Sequence, residues 1–172
     1  MSNFGWMPSV MLSLSCAIIA PACAFAADAP LQHPALSIKT LDGRIFDLAA
    51  QRGKWVIVNF WATWCSPCIA EMPALSKFVA AHKNVTAIGL AYEDTDRADV
   101  LAFLKKHPVV YPIAQVDVYK PPKAFPTPRG LPSTYLIAPD GSMVRHFMGP
   151  LDIGTLAHTI SASHPASVPG KG

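Results

Sequence analysis

Apolar and polar positions along the chain change period several times, and each period predicts an element. Over residues 37–47, Ser-Ile-Lys-Thr-Leu-Asp-Gly-Arg-Ile-Phe-Asp, they alternate on both sides of Asp42-Gly43, the pattern of a short β-hairpin. Residues 55–61, Trp-Val-Ile-Val-Asn-Phe-Trp, form a nearly continuous apolar run broken only by Asn59, as expected of a strand buried on both faces of a parallel sheet. From 66 to 81 the spacing becomes helical (Ile69, Met72, Leu75, Phe78, Val79), and 85–92 reads as a second buried strand. Asp94-Thr95-Asp96 offers N-caps for a helix over 97–106, which Lys105, Lys106 and Pro108 bring to an end. A short strand is expected at 113–118. Four prolines between Pro121 and Pro128 then exclude helix and central strand and predict a shaped loop over 120–130. Residues 133–137 and 142–147, joined by Pro139-Asp140-Gly141, read as a terminal hairpin, and 152–161 as a last helix. This order predicts an α/β domain with a central mixed β-sheet flanked by helices and an N-terminal β-hairpin.

The first 27 residues carry no charged side chain, and 10–27 is apolar apart from Ser13, Ser15 and two cysteines. The segment ends in Ala24-Phe25-Ala26, small residues where a signal peptidase reads, followed by Asp28 and Pro30. That pattern predicts a secretory signal peptide cleaved after Ala26 and a periplasmic protein. Met1 to Trp6 lacks Lys and Arg, so an uncleaved N-terminal anchor is the alternative: the apolar stretch approaches the roughly 20 residues that span a bilayer. Ser13 and Ala20 stand where a lipoprotein signal wants leucine, three residues before Cys16 and Cys23. The chain therefore divides into a signal peptide or anchor at 1–26, a tether at 27–35, one domain at 36–161 and a flexible tail at 162–172.

Composition narrows the function. With 172 residues, 51% hydrophobic, the chain can bury the core of one domain. Its 14 Lys and Arg against 11 Asp and Glu give +3, and the basic residues are scattered, which leaves no footprint for nucleic acid.

Once 1–26 is removed, only Cys65 and Cys68 remain, and a bridge between residues so close gains little as a structural clamp. The pair is there for chemistry. Cys65 stands at the start of a helix directly after a buried strand, where first-turn N–H groups and the positive end of the macrodipole stabilise a thiolate. It is the expected nucleophile, and Cys68, inside the first turn and within reach of the Cys65 sulfur, the resolving thiol. A zinc half-site is the competing reading, but zinc wants four ligands and the chain has no second Cys pair. Glu71 falls on the same helix face as both cysteines and is the natural carboxylate for moving a proton to or from them, its alternative being a solvated surface residue. Pro73 lies inside the helix and removes the N–H that would reach the Ile69 carbonyl.

Trp64-Cys65-Ser66-Pro67-Cys68, Glu71-Met72-Pro73 and the distant Gly130-Leu131-Pro132-Ser133-Thr134-Tyr135-Leu136-Ile137 together resemble the TlpA/ResA branch of the thioredoxin superfamily over about residues 36–160. The resemblance implies a thioredoxin fold and an exported thiol:disulfide oxidoreductase that cycles through a Cys65–Cys68 disulfide. Its partners would be disulfide-bearing exported proteins and a membrane electron donor. The resemblance also implies a cis-proline loop at Pro132 facing the cysteines, with the Leu131 backbone pairing with a bound substrate strand. Asn59 stands where thioredoxins proper carry a buried aspartate, and in this branch the active-site acid is a glutamate at the position of Glu71. Trp61 is expected to pack in the core and Trp64 to form a partly exposed wall of the site.

Ser66-Pro67 places no histidine between the cysteines and Pro67 withholds an N–H from the Cys65 sulfur, so the dithiol should be reducing. The expected role is reduction of protein disulfides, for example in cytochrome c maturation or metal-site assembly, by a monomer with no metal or cofactor. The alternative from another class is a periplasmic copper-binding module using the Cys pair with a distant ligand, His146 or Met143.

Overall fold

The computed structural model describes Met1 and residues 33–163. The signal-peptide or anchor reading, with Cys16 and Cys23, lies outside the described residues, as do most of the 27–35 tether and residues 164–172 of the tail.

β1 (Ser37–Lys39) and β2 (Ile45–Asp47) pair antiparallel, Ile38 opposite Phe46, as a small two-stranded sheet. Gly43 turns the hairpin at φ 87°, a left-handed value that glycine adopts without a Cβ clash. A 3-10 helix at Ala49–Gln51, which the sequence pattern did not reveal, leads into β3 (Trp55–Trp61). There follow α1 (Ser66–Ala81), β4 (Val85–Tyr92), α2 (Arg97–Lys106), β5 (Ile113–Val116), β6 (Ser133–Ile137), β7 (Met143–Met148) and α3 (Ile153–Ala162). The main sheet has the order β5-β4-β3-β6-β7, with β3 parallel to β4 and antiparallel to β6. All seven residues of β3 are buried, which is why its run is apolar at every position but one.

Period-two alternation along β3 separates two cores. Ile57 and Trp61 face one cluster together with Cys65, Cys68, Met72, Leu75 and Phe78, Val100 of α2 and Leu156 of α3. Val56, Val58 and Phe60 face a second cluster that draws on Leu36, Phe46 and Leu48 near the hairpin and on Phe125 of the proline loop, and on no helical residue. The helices thus cover one face, while the N-terminal segment and the proline-rich loop close the other.

Local differences from the sequence reading have local causes. β5 stops at Val116 rather than 118 because the Asp117 carboxylate accepts the Tyr119 N–H at 2.7 Å, a side-chain turn that competes with the ladder. Asp96 occupies the N-cap of α2 without a side-chain cap bond, whereas Asp152 caps α3 by accepting the Thr155 N–H at 2.7 Å. α1 runs through Pro73 to Ala81.

Candidate active site

β3 delivers the chain to the site. It ends at Trp61, and four residues later Cys65 serves as the N-cap of α1 in an extended conformation (φ −86°, ψ 94°). Its Sγ accepts the Cys68 N–H at 3.3 Å, so the cysteine sulfur takes the place that a Ser or Asp oxygen fills in an ordinary N-cap. Pro67 sits in the first turn, where a missing N–H costs the helix nothing. The sequence reading had Pro67 deprive the Cys65 sulfur of a donor, and the Cys68 N–H supplies one. Cys65 and Cys68 form a disulfide, both buried. Trp64 beside them is 69% exposed, a ledge rather than a partly covered wall, while Trp61 is buried in the core.

Glu71, one turn beyond Cys68, is only 7% exposed. One carboxylate oxygen accepts from Asn59 Nδ2 at 2.9 Å and the other from the Leu151 N–H at 2.6 Å. The same Asn59 amide donates to Thr134 Oγ1 at 2.9 Å, so β3, β6, α1 and the segment before α3 meet in one buried polar group. Burial pushes the Glu71 carboxyl above its ordinary value of 4.5; the Leu151 and Asn59 donors pull the other way without cancelling it. Three buried polar atoms nearby in the fold, Asn59 Oδ1, Trp61 Nε1 and the Tyr111 hydroxyl, have no hydrogen-bond partner among the described residues. Burial, and secondarily the charge of Glu71, raises the Tyr111 phenol above its usual value.

The last β3–β6 pair is Phe60 with Ser133, so Pro132 and Leu131 continue past it beside the stretch that leads from Trp61 to Cys65. The Leu131-Pro132 bond is cis. The Pro132 carbonyl accepts the Gly149 N–H at 2.9 Å, and the main-chain N–H and carbonyl of Leu131 bond to no other described residue. The site therefore gathers Cys65, Cys68 and Glu71 from one helix, with Leu131 and Pro132 from the neighbouring strand entry.

His146, one of the alternative copper ligands, is engaged elsewhere: its Nε2 is hydrogen-bonded to Ser133 Oγ at 2.8 Å and its ring stacks on Tyr135 at 4.1 Å. Burial lowers its basicity. Among the described residues no group of three or more His, Cys, Asp and Glu is placed to hold a metal ion.

The sequence reading missed Thr134 and Glu93. Thr134 is signalled only by its place inside an otherwise apolar strand. Glu93, 6% exposed, holds the turn before Cys65 through two hydrogen bonds from Thr63. In the sequence it opens a polar run that reads as helix caps. The signal that could have found it is its position directly after the strand parallel to β3.

Comparison with known proteins gives the same picture. The AhpC/TSA family model matches residues 31–146. The chain is 32% identical over 123 residues to the thiol-disulfide oxidoreductase ResA of Bacillus thuringiensis, covering 69% of this chain and 68% of that one. It is 46% identical over 77 residues to the soluble secreted antigen MPT53 of Mycobacterium bovis, covering 45% of this chain and 40% of that protein. Among solved structures, a thiol:disulfide interchange protein of the thioredoxin family from Chlorobium tepidum superposes with a TM-score of 0.67 at 26% identity, over 80% of this chain and 99% of that one.

Proposed function

The chain belongs to the AhpC/TSA family and is a thiol:disulfide oxidoreductase, and on that footing we propose that it is an exported reductant of protein disulfides. In its reduced form Cys65 is the thiolate that attacks. It bonds to one sulfur of the substrate disulfide and expels the other as a thiolate. Cys68, deprotonated, then attacks the Cys65 sulfur, closes the Cys65–Cys68 disulfide and releases the second substrate thiolate. Two electrons pass from the dithiol to the substrate, which leaves with both its sulfurs reduced; a donor of the transmembrane thiol-reductase type returns the dithiol.

The observation that carries these roles is the capping geometry: the Cys65 sulfur accepts the Cys68 N–H at the positive end of α1. That donor and the helix dipole stabilise a Cys65 thiolate once the disulfide is opened. Glu71, buried and with its proton affinity raised, is suited to take the proton of Cys68 and to return it on the reverse exchange. Leu131, whose main-chain groups are unengaged among the described residues, offers a short edge to an extended substrate, with Trp64 and Pro132 beside it.

Export rests on the leader pattern at 1–26, and the whole site falls within the proposed 36–161 domain. Cytochrome c maturation and metal-site assembly are the tasks such a reductant fits, and the proline-rich 118–129 segment, which departs from the common pattern of the resembled branch, is where a partner would be chosen. The roles are tested by trapping. Cys68→Ser accumulates a mixed disulfide through Cys65 on non-reducing gels, and Cys65→Ser accumulates little; equal trapping by both variants contradicts the assignment. Copper content of the protein purified without chelator separates this reading from a copper carrier using the Cys pair with His146 or Met143.

A further inference from the structure

Two carboxylates are buried among the described residues, and the proposed mechanism uses only Glu71. The other, Glu93, follows β4 directly and reaches across to the neighbouring strand's exit. Its Oε1 accepts the Thr63 N–H at 3.0 Å and its Oε2 accepts the Thr63 hydroxyl at 2.7 Å. Among the described residues no cation pairs with it. A buried carboxylate served only by neutral donors is costly, and an apolar side chain in its place would strand the Thr63 N–H without a partner.

What Glu93 holds is the turn between β3 and α1. Thr63 is two residues before Cys65. The rest of that turn is tied by Cys65 N–H to the Ala62 carbonyl at 3.2 Å and by Ile69 N–H to the Cys65 carbonyl at 3.0 Å. Trp64, exposed, stands between the residue that Glu93 grips and the cysteine. Among the described residues the carboxylate is therefore the one side-chain clamp from a different element on a segment that otherwise depends on its own backbone bonds.

We propose that Glu93 is a positioning residue for thiol–disulfide exchange: gripping Thr63 through both carboxylate oxygens, it holds Trp64 and Cys65 in the arrangement from which the sulfur attacks. The inference rests on the reading that Cys65 is the nucleophile. Full-length reduced protein is reacted with an aromatic model disulfide, and the second-order rate is compared with the thermal unfolding midpoint for wild type, Glu93→Ala, Glu93→Gln, Thr63→Ala, Glu93→Ala/Thr63→Ala and Cys65→Ser.

Glu93→Ala is expected to slow attack about tenfold at temperatures where it is folded, because loss of positioning is expressed in rate. Glu93→Gln, whose amide oxygen still accepts the Thr63 N–H, should lose only about two- to threefold. The double variant should be no more than about twofold slower than Glu93→Ala, since both changes act through one contact. A lower midpoint with an unchanged rate makes Glu93 merely structural and overturns the proposal, and so does a double variant whose losses multiply. Should Glu93→Ala not fold, Glu93→Gln against wild type decides: a slower attack at an unaltered midpoint supports positioning, and an unaltered rate overturns it. Full activity in Cys65→Ser would instead sink the nucleophile reading, which separates the two failures.

Discussion

On one face of the sheet β3 contributes Val56, Val58 and Phe60, and on the other Ile57, Asn59 and Trp61. The first face is aromatic and apolar: the Phe60 ring meets Tyr92, Phe125 and Tyr135 edge-on at 6.0–6.1 Å between centroids. The second carries the cysteines and a buried polar group of Asn59, Glu71 and Thr134. One face packs apolar side chains. The other accepts the cost of burying amide, hydroxyl and carboxyl groups, which their mutual hydrogen bonds offset in part. The proposed chemistry thus lies on one side of a single strand, while both sides pack apolar side chains.

The largest effect expected from breaking this division is on the aromatic face. Phe60→Ala removes three edge contacts at once and should cost about 3–5 kcal/mol in chemical denaturation. The exchange rate per folded molecule should stay at the wild-type value. A rate that falls with stability would mean that the two faces are coupled.

On the polar face, Asn59→Ala withdraws the donor shared by Glu71 and Thr134 and should cost about 1–3 kcal/mol. Because the Asn59 bond holds the Glu71 carboxyl down, its loss should move that group further up, which a pH–rate profile reads as a shift to higher pH. A profile unmoved by the change would separate Asn59 from the proton chemistry.

How much of this contrast is visible without coordinates depends on the range of the contacts. The strand at 55–61 and the helix at 66–81 are legible because burial on two faces and packing on one leave continuous and 3.6-residue patterns in the local sequence. The cysteines are legible because their positions relative to those elements already define the chemistry. Glu71 is legible as a helix residue but not as a buried one, since its partners come from β3 and from Leu151, eighty positions away. Phe125 looks like a loop residue among prolines, yet it fills the second core, and only the fold brings it to Phe60. Glu93 is hidden for the same reason: its polar neighbours in sequence suggest solvent, and its bonds lie thirty residues back.

A smaller effect sharpens the contrast through pH. A carboxyl whose proton affinity is raised by folding binds its proton more tightly in the native state. The stability it preserves is complete below the ordinary value of 4.5 and is lost as pH rises through the raised folded value. Wild type should therefore lose unfolding free energy relative to Glu71→Gln across that rise, and the difference should then level off. Parallel curves would place Glu71 in an environment no different from water.

The proposed proton role of Glu71 is tested most directly at the thiols. Glu71→Gln keeps the shape and removes both a nearby negative charge, expected to raise thiol pKa values, and the proposed acceptor for the Cys68 proton. Alkylation of Cys65 followed against pH, together with stopped-flow resolution of the mixed disulfide, measures the two at once. The account predicts a lower Cys65 pKa combined with slower resolution, opposite movements for a variant that differs by one group. Both curves lying on those of the wild type would contradict it.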